Sequence, residues 1–299
     1  MSNNTLAASK PKFSTVIKSN TYQNLIKQTL GNPKKAERYT AAIMSAVATN
    51  PQLQNCEAKT ILSGSLLAES LNLAHSPQLG QYYLVPFKVK AKNGIPEHYD
   101  AQFILGYKGY IQLAIRSGNY KKINVMEIKD GELVSYDPFN EEIVLQPIQD
   151  VDEREQTETI GYYAMFEYIN GFKKVIYWSK KQMLQHADKY SPAFSKLAYE
   201  KLQNGEIPNN EMWKYSSFWY KDFDGMAKKT LIRQLIGKWG VMSAEMTQAM
   251  ELDNNSLNVE KNGFLTVEAD ENYDTDVKTV DDTEGDTEDD TEEVNFDEV

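Results

Sequence analysis

The sequence predicts an α+β fold in which N-terminal helices pack with antiparallel β-hairpins and a long basic helix. Three features predict it: helical segments separated by turn residues in the first third, alternating runs joined by turn signals in the middle, and an amphipathic stretch from Ser217 to about Trp239.

The helical third is punctuated at Gly31-Asn32-Pro33 and Asn50-Pro51, which divides it into three segments. Asn55 is the expected cap of the third, with Leu62, Leu66, Leu67, Leu71 and Leu73 supplying core. After His75-Ser76-Pro77, the run from Gln81 to Lys90 alternates and puts Tyr83, Val85, Phe87 and Val89 on one face, with Pro86 marking an edge or a bulge. Ala101 to Tyr107 is its expected partner across the Lys92-Asn93-Gly94-Ile95-Pro96 loop.

A second hairpin is signalled by Asn170-Gly171 between Gly161–Tyr168 and Phe172–Trp178, because that dipeptide favours a type I′ turn. Ser179 followed three residues later by Gln182 makes a capping box and starts a helix. The segment from Ser217 to Trp239 is expected to be the longest helix. No repeat of fixed period occurs, so a solenoid is not expected.

Charge divides the chain of 299 residues in two. The net charge is -11, yet Glu251 to Val299 holds 19 Asp and Glu against Lys261 and Lys278, a net of -17. Met1 to Met250 therefore carries 30 basic and 24 acidic residues, a net of +6. The acidic end is poor in large apolar side chains and is expected to be disordered from 253 to 299. Residues 1–20, polar and lysine-containing, are expected to be a flexible N-terminus, leaving one domain over 21–252. No apolar run approaches the roughly 20 residues of a membrane span, and the start lacks a signal peptide, so a soluble cytoplasmic protein is expected. The single cysteine, Cys56, excludes an internal disulfide and reads as a small buried hydrophobe.

Two clusters carry the functional reading. Around the axis of the long helix, at about 100° per residue, Trp219, Phe223, Met226, Ala227, Thr230, Leu231 and Leu235 share one arc. Lys221, Lys228, Lys229 and Arg233 fall on the opposite arc, interrupted by Ile232 and Ile236. A basic face without alternating glutamates suits phosphates, although such a face often does no more than keep a helix soluble. The second cluster is Gly106-Tyr107-Lys108-Gly109-Tyr110 at a strand-to-helix junction, where glycines permit close backbone approach. Lys108, Gln112 and Arg116 follow at i, i+4 and i+8, and Tyr107, Tyr110 and Tyr120 interleave with Lys108, Arg116, Lys121 and Lys122. Rings beside cations suit unpaired bases, which offer π-faces for stacking.

Enzyme signatures are missing. No Gly-x-x-x-x-Gly-Lys-Ser/Thr occurs, and His75, His98 and His186 lack metal spacing. Asp222 and Asp224 read as partners of a helix dipole rather than metal ligands. Neither a catalytic group, a metal nor a cofactor is expected.

At these residues the chain resembles the RecT-type single-strand annealing proteins of phages and prophages, more distant relatives of lambda's Red beta. The first block is Leu71-Asn72-Leu73 with Pro77 and Leu79-Gly80-Gln81-Tyr82-Tyr83-Leu84-Val85-Pro86-Phe87. The second runs from Ala101-Gln102-Phe103-Ile104-Leu105-Gly106-Tyr107-Lys108-Gly109 to Ala114-Ile115-Arg116-Ser117-Gly118, and the third is Met226-Ala227-Lys228-Lys229-Thr230 with Arg233.

The resemblance spans roughly residues 55–250. It implies an annealing core, assembly into rings or helical filaments, and ATP-independent pairing of complementary DNA strands in recombination, without catalysis. On it, Tyr107, Lys108 and Arg116 match the second block's positions, and Lys229 and Arg233 the third's. The expected DNA-binding residues are therefore Tyr107, Lys108, Tyr110, Arg116, Lys121, Lys122, Lys221, Lys228, Lys229 and Arg233, with single-stranded DNA, the annealed duplex intermediate and other copies of the chain as partners. A 5′-to-3′ exonuclease and the host single-strand binding protein are the further partners implied. The alternative is a DNA-associated structural or adaptor protein that assembles through its helices without annealing. The acidic tail is expected to aid solubility, or to act as a DNA mimic over the basic groove.

Overall fold

In a computed structural model the described residues are 11–91, 94–191, 193–253, 256–259 and 265–268. The chain begins with helices α1 (Phe13–Ile17), α2 (Asn20–Leu30), α3 (Pro33–Thr49) and α4 (Ala58–Ser70). The punctuation works as the sequence suggests. Gly31 adopts a left-handed C-cap, and the Asn32 side chain accepts from the Lys34 and Lys35 N–H groups with Pro33 at the first helical position.

Two expectations about this region are corrected. Asn55 ends a 3-10 turn, and α4 starts later, after Glu57 and without a side-chain cap. The flexible first twenty residues do not extend to Phe13 and Ile17, which are helical and buried in the core because both project from one face of α1. Residues 1–10 lie outside the described residues.

Strand β1 (Tyr82–Val89) pairs antiparallel with β2 (His98–Leu105). Tyr82 and Leu84 face the core, so the buried face is the one opposite Tyr83 and Val85. Helix α5 (Tyr107–Arg116) follows β2 directly through Gly106. A three-stranded sheet comprises β3 (Tyr120–Lys129), β6 (Thr159–Tyr168) and β7 (Lys173–Ser179), with β6 in the centre. Between β3 and β6 come the hairpin of β4 (Leu133–Asp137) and β5 (Glu142–Leu145), and the short α6 (Val151–Gln156).

The Asn170-Gly171 dipeptide predicts a type I′ turn for the β6–β7 hairpin. Its loop instead holds three residues, closed by the Tyr168 N–H to Phe172 carbonyl bond, and Gly171 supplies the positive φ of 88°. Ser179 and Gln182 form the expected capping box of α7 (Lys180–Tyr190), and α8 (Lys196–Gln203) follows.

The long helix is divided. Asp222, at φ -147° and ψ 69°, ends α9 (Phe218–Lys221) and caps α10 (Phe223–Trp239) by accepting from the Gly225 N–H. Nor does α10 carry an outward basic face. It packs on β6 on one side and on α5 on another, so Leu231, Ile232, Leu235 and Ile236 are all fully buried. The isoleucines that interrupt the basic arc are a second buried face.

After α11 (Ala244–Leu252), β8 (Ser256–Val259) pairs antiparallel with β9 (Leu265–Glu268), and β8 lies against α4 and β2. The expectation of disorder from residue 253 is thus corrected over these strands. Most of the acidic tail, residues 269–299, lies outside the described residues. Cys56 is buried as expected.

Candidate nucleic-acid interface

The two sequence clusters meet where α5 packs against α10. Gly106 makes the junction possible. Its N–H donates to the Gln81 carbonyl at 2.9 Å, and a β-carbon there would lie 2.2 Å from the Gly80 carbonyl oxygen. Gly109, one turn on, would put a β-carbon 2.1 Å from the Gln81 oxygen. The two glycines therefore seat the start of α5 directly on the backbone that enters β1.

That seating presents Tyr107 and Lys108 at the surface beside α10. The Lys108 ammonium lies 5.9 Å from the Tyr107 ring centre and the Lys228 ammonium 5.3 Å, so one ring is flanked by two cations. Lys228 also pairs with Glu127 of β3 at 3.1 Å. Burial alone pushes the Lys228 ammonium down, but Glu127 outweighs it and the net shift is upward; Lys228 stays charged. Lys108 and Lys221 are exposed.

Behind this surface lies a second constellation that is buried. Asp253, at the end of α11, accepts from the Leu105 N–H at 2.8 Å and from the Tyr110 hydroxyl at 3.1 Å. The Lys229 ammonium and an Arg233 nitrogen each approach its Oδ2 at 3.1 Å. Burial, and secondarily the Asp253 charge, push the Tyr110 hydroxyl well above its ordinary value. The expectation that Lys229 faces outward is corrected here, because its side chain is 9% exposed and bound to a fully buried carboxylate. Tyr110, also an expected DNA contact, is wholly buried, so neither of its ring faces is open for stacking.

The remaining expected contacts are dispersed. Arg116 is exposed at the far end of α5, donating to the Asn72 and Gln112 carbonyls, beside a cleft of about 380 Å³ that His75 and Gln81 also line. Lys121 and Lys122, exposed on β3, face Glu167 of β6 at 2.5 and 4.0 Å. Sequence reasoning missed Glu127 and Asp253. For Asp253 a signal existed: Met246, Ala249 and Leu252 continue a helical apolar face up to its neighbour, so the core does not end before it.

A model of the RecT family matches residues 37–278. The chain belongs to the RecT family. Similar curated proteins include uncharacterized protein YqaK of Bacillus subtilis (strain 168), 36% identical over 254 residues, which cover 84% of this chain and 75% of that protein. Protein RecT of Escherichia coli (strain K12) is 26% identical over 219 residues, 73% of this chain and 71% of the relative. RecT membership supports a single-strand annealing role in recombination. Among the described residues no helix is long and apolar enough to cross a membrane, and no group of His, Cys, Asp and Glu is arranged to hold a metal ion.

Proposed function

We propose that this RecT-family chain binds single-stranded DNA and pairs complementary strands without nucleotide hydrolysis, acting as a ring or helical filament of many copies. The observation that carries the reading is the meeting of Tyr107, Lys108 and Lys228 where α5 packs on α10.

Annealing requires that two polyanions approach, so phosphates must be neutralised while base edges stay free. Lys108, Lys221 and Lys228 supply charge without any group aimed at base edges, and Tyr107 supplies a ring for stacking. Arg116, Lys121 and Lys122, exposed but dispersed over α5 and β3, are separate further phosphate contacts. Lys229 and Arg233 act from behind, by fixing α10 against Asp253. Copies side by side hold one strand extended for the next, and the new duplex drives the reaction. A 5′-to-3′ exonuclease would supply the strands and a host single-strand binding protein would compete for them, in the bacterial cytoplasm.

The test mixes the protein with two complementary oligonucleotides carrying a donor and an acceptor dye, in buffer free of nucleotide. Pairing faster than the spontaneous rate is expected, together with sedimentation of large DNA-bound assemblies. DNA binding without any acceleration of pairing would favour a structural or adaptor role instead.

A further inference from the structure

The Asp222 break turns a short helix whose outward residue has no assigned role. In α9 the Ser217 side chain accepts from the Trp219 N–H, and Trp219 points inward, packed among Phe194 and Phe223. A rotation of about 100° per residue then carries Phe218 outward. Phe218 is 42% exposed, and Lys221, one turn later, is exposed too.

Phe218 does not stand alone on the surface. Its ring centre is 6.0 Å from that of Tyr83 on β1, at an interplanar angle of 41°. Tyr83 in turn reaches the start of α5: a β-carbon on Gly80 would lie 2.9 Å from the Tyr83 hydroxyl and 3.5 Å from the Lys108 side chain. A β-carbon on Gly106 would lie 3.2 Å from the edge of the Tyr83 ring, so that ring rests on the strand-to-helix junction. Phe218 and Tyr83 are therefore neighbouring rings, and the Tyr83 ring lies against Gly106, next to half-buried Tyr107 and near Lys108, while Lys221 follows Phe218 on α9.

A lone exposed aromatic needs no explanation, but this one adjoins a second ring next to cations. A hydrated strand offers such a surface two things, phosphates for the lysines and apolar base faces for the rings. Phe218 has no polar atom, so it can take a base face and cannot read its hydrogen-bonding edge, which leaves that edge free for a second strand.

We infer that Phe218, backed by Tyr83, is a stacking platform for an unpaired nucleobase of the strand whose phosphates meet Lys108 and Lys221. The inference rests on the single-stranded DNA reading above. It adds a base-contacting residue that binds bases only while they are unpaired and unstacked.

The test compares the full chain with Phe218→Ala and Phe218→Trp, using fluorescence anisotropy with oligothymidylate and with an abasic oligonucleotide of equal length. Wild type should hold oligothymidylate more tightly than the abasic strand. Phe218→Ala should lose about tenfold in affinity for oligothymidylate, with little change for the abasic strand and an unchanged salt slope. Phe218→Trp should restore binding, and thermal unfolding should show all three proteins folded. Equal oligothymidylate affinity for wild type and Phe218→Ala would overturn the inference while leaving the DNA reading intact, all the more if sedimentation showed that the substitution altered self-association instead. Failure of wild type to bind either oligonucleotide would overturn both.

Discussion

The Asp253 carboxylate lies 3.1 Å from the Lys229 ammonium, and both side chains are buried where α5, α10 and α11 converge. Arg233, Tyr110 and the Leu105 N–H complete the shell, so one carboxylate ties four segments together. Removing its charge leaves a buried ammonium facing a neutral amide. Asp253→Asn should cost about 3 kcal/mol or more in unfolding free energy, measured by urea denaturation. Adding Lys229→Met should recover part of the loss, because an apolar side chain needs no counter-charge there. If both variants instead kept full stability and changed the salt dependence of DNA binding, Lys229 would be a surface contact.

Surface lysines should behave in the opposite way. Each phosphate neutralised on a single strand contributes roughly 0.7 to the slope of log affinity against log salt. Lys108→Ala and Lys221→Ala should each lower that slope by about this amount, uniformly across base sequences, with unfolding midpoints unchanged. Titrations of labelled oligonucleotides over a salt series measure it.

The close approach at the β2–α5 junction predicts intolerance of even one methyl group. Gly106→Ala and Gly109→Ala would set carbon against the backbone oxygens of Gly80 and Gln81, which cannot swing aside as a side-chain end could. A cost of about 1 to 3 kcal/mol is expected for each, with weakened DNA binding because Tyr107 and Lys108 move with the helix start. Gly118, although at φ 73°, has open space around it, so Gly118→Asn, which tolerates that backbone, should cost far less.

Acid should unfold the protein through His186 and a few named carboxylates. Burial alone would raise Glu69, Glu127 and Glu132, but their cationic and hydrogen-bonding partners outweigh it: Lys35 and His75 for Glu69, its own backbone N–H, then Lys228 and Arg154 for Glu127, Arg154 and two backbone N–H groups for Glu132. All three therefore sit below their ordinary value of 4.5 in the folded state. A depressed folded pKa contributes stability that is complete above the unfolded value and is lost as pH falls through the folded one. Urea midpoints should begin to fall below about pH 6.5, where His186, held below its ordinary 6.5 by burial and then by Lys189, must be protonated. They should drop more steeply below about pH 5 as the three carboxylates protonate. Arg154→Met should flatten that decline, since Glu132 loses the bidentate partner that holds it ionised.

Local chemistry made much of the fold legible. The break at Gly31-Asn32-Pro33, the Ser179 capping box and the position of the Asn170-Gly171 turn, though not its type, are written in neighbouring residues. So is the meeting of strand and helix at Gly106. What escaped depends on partners far along the chain. Lys229 looks like any solvent-facing lysine until Asp253, 24 positions on, is folded against it. The helix face that reads as basic is a buried one because α10 is covered on several sides, which one helix's periodicity cannot report. Asp222 hid as a dipole partner, yet it ends α9, the short helix whose Phe218 neighbours Tyr83.

Whether these lysines carry strand pairing is measured by the nucleotide-free annealing rate of the triple variant Lys108→Ala, Lys221→Ala, Lys228→Met beside wild type at low salt, with folding checked by circular dichroism. Wild type should accelerate pairing of complementary strands, and the triple variant should leave the spontaneous rate almost unchanged. Equal acceleration by both proteins would contradict that role, since strand pairing would then proceed without the surface formed where α5 meets α10.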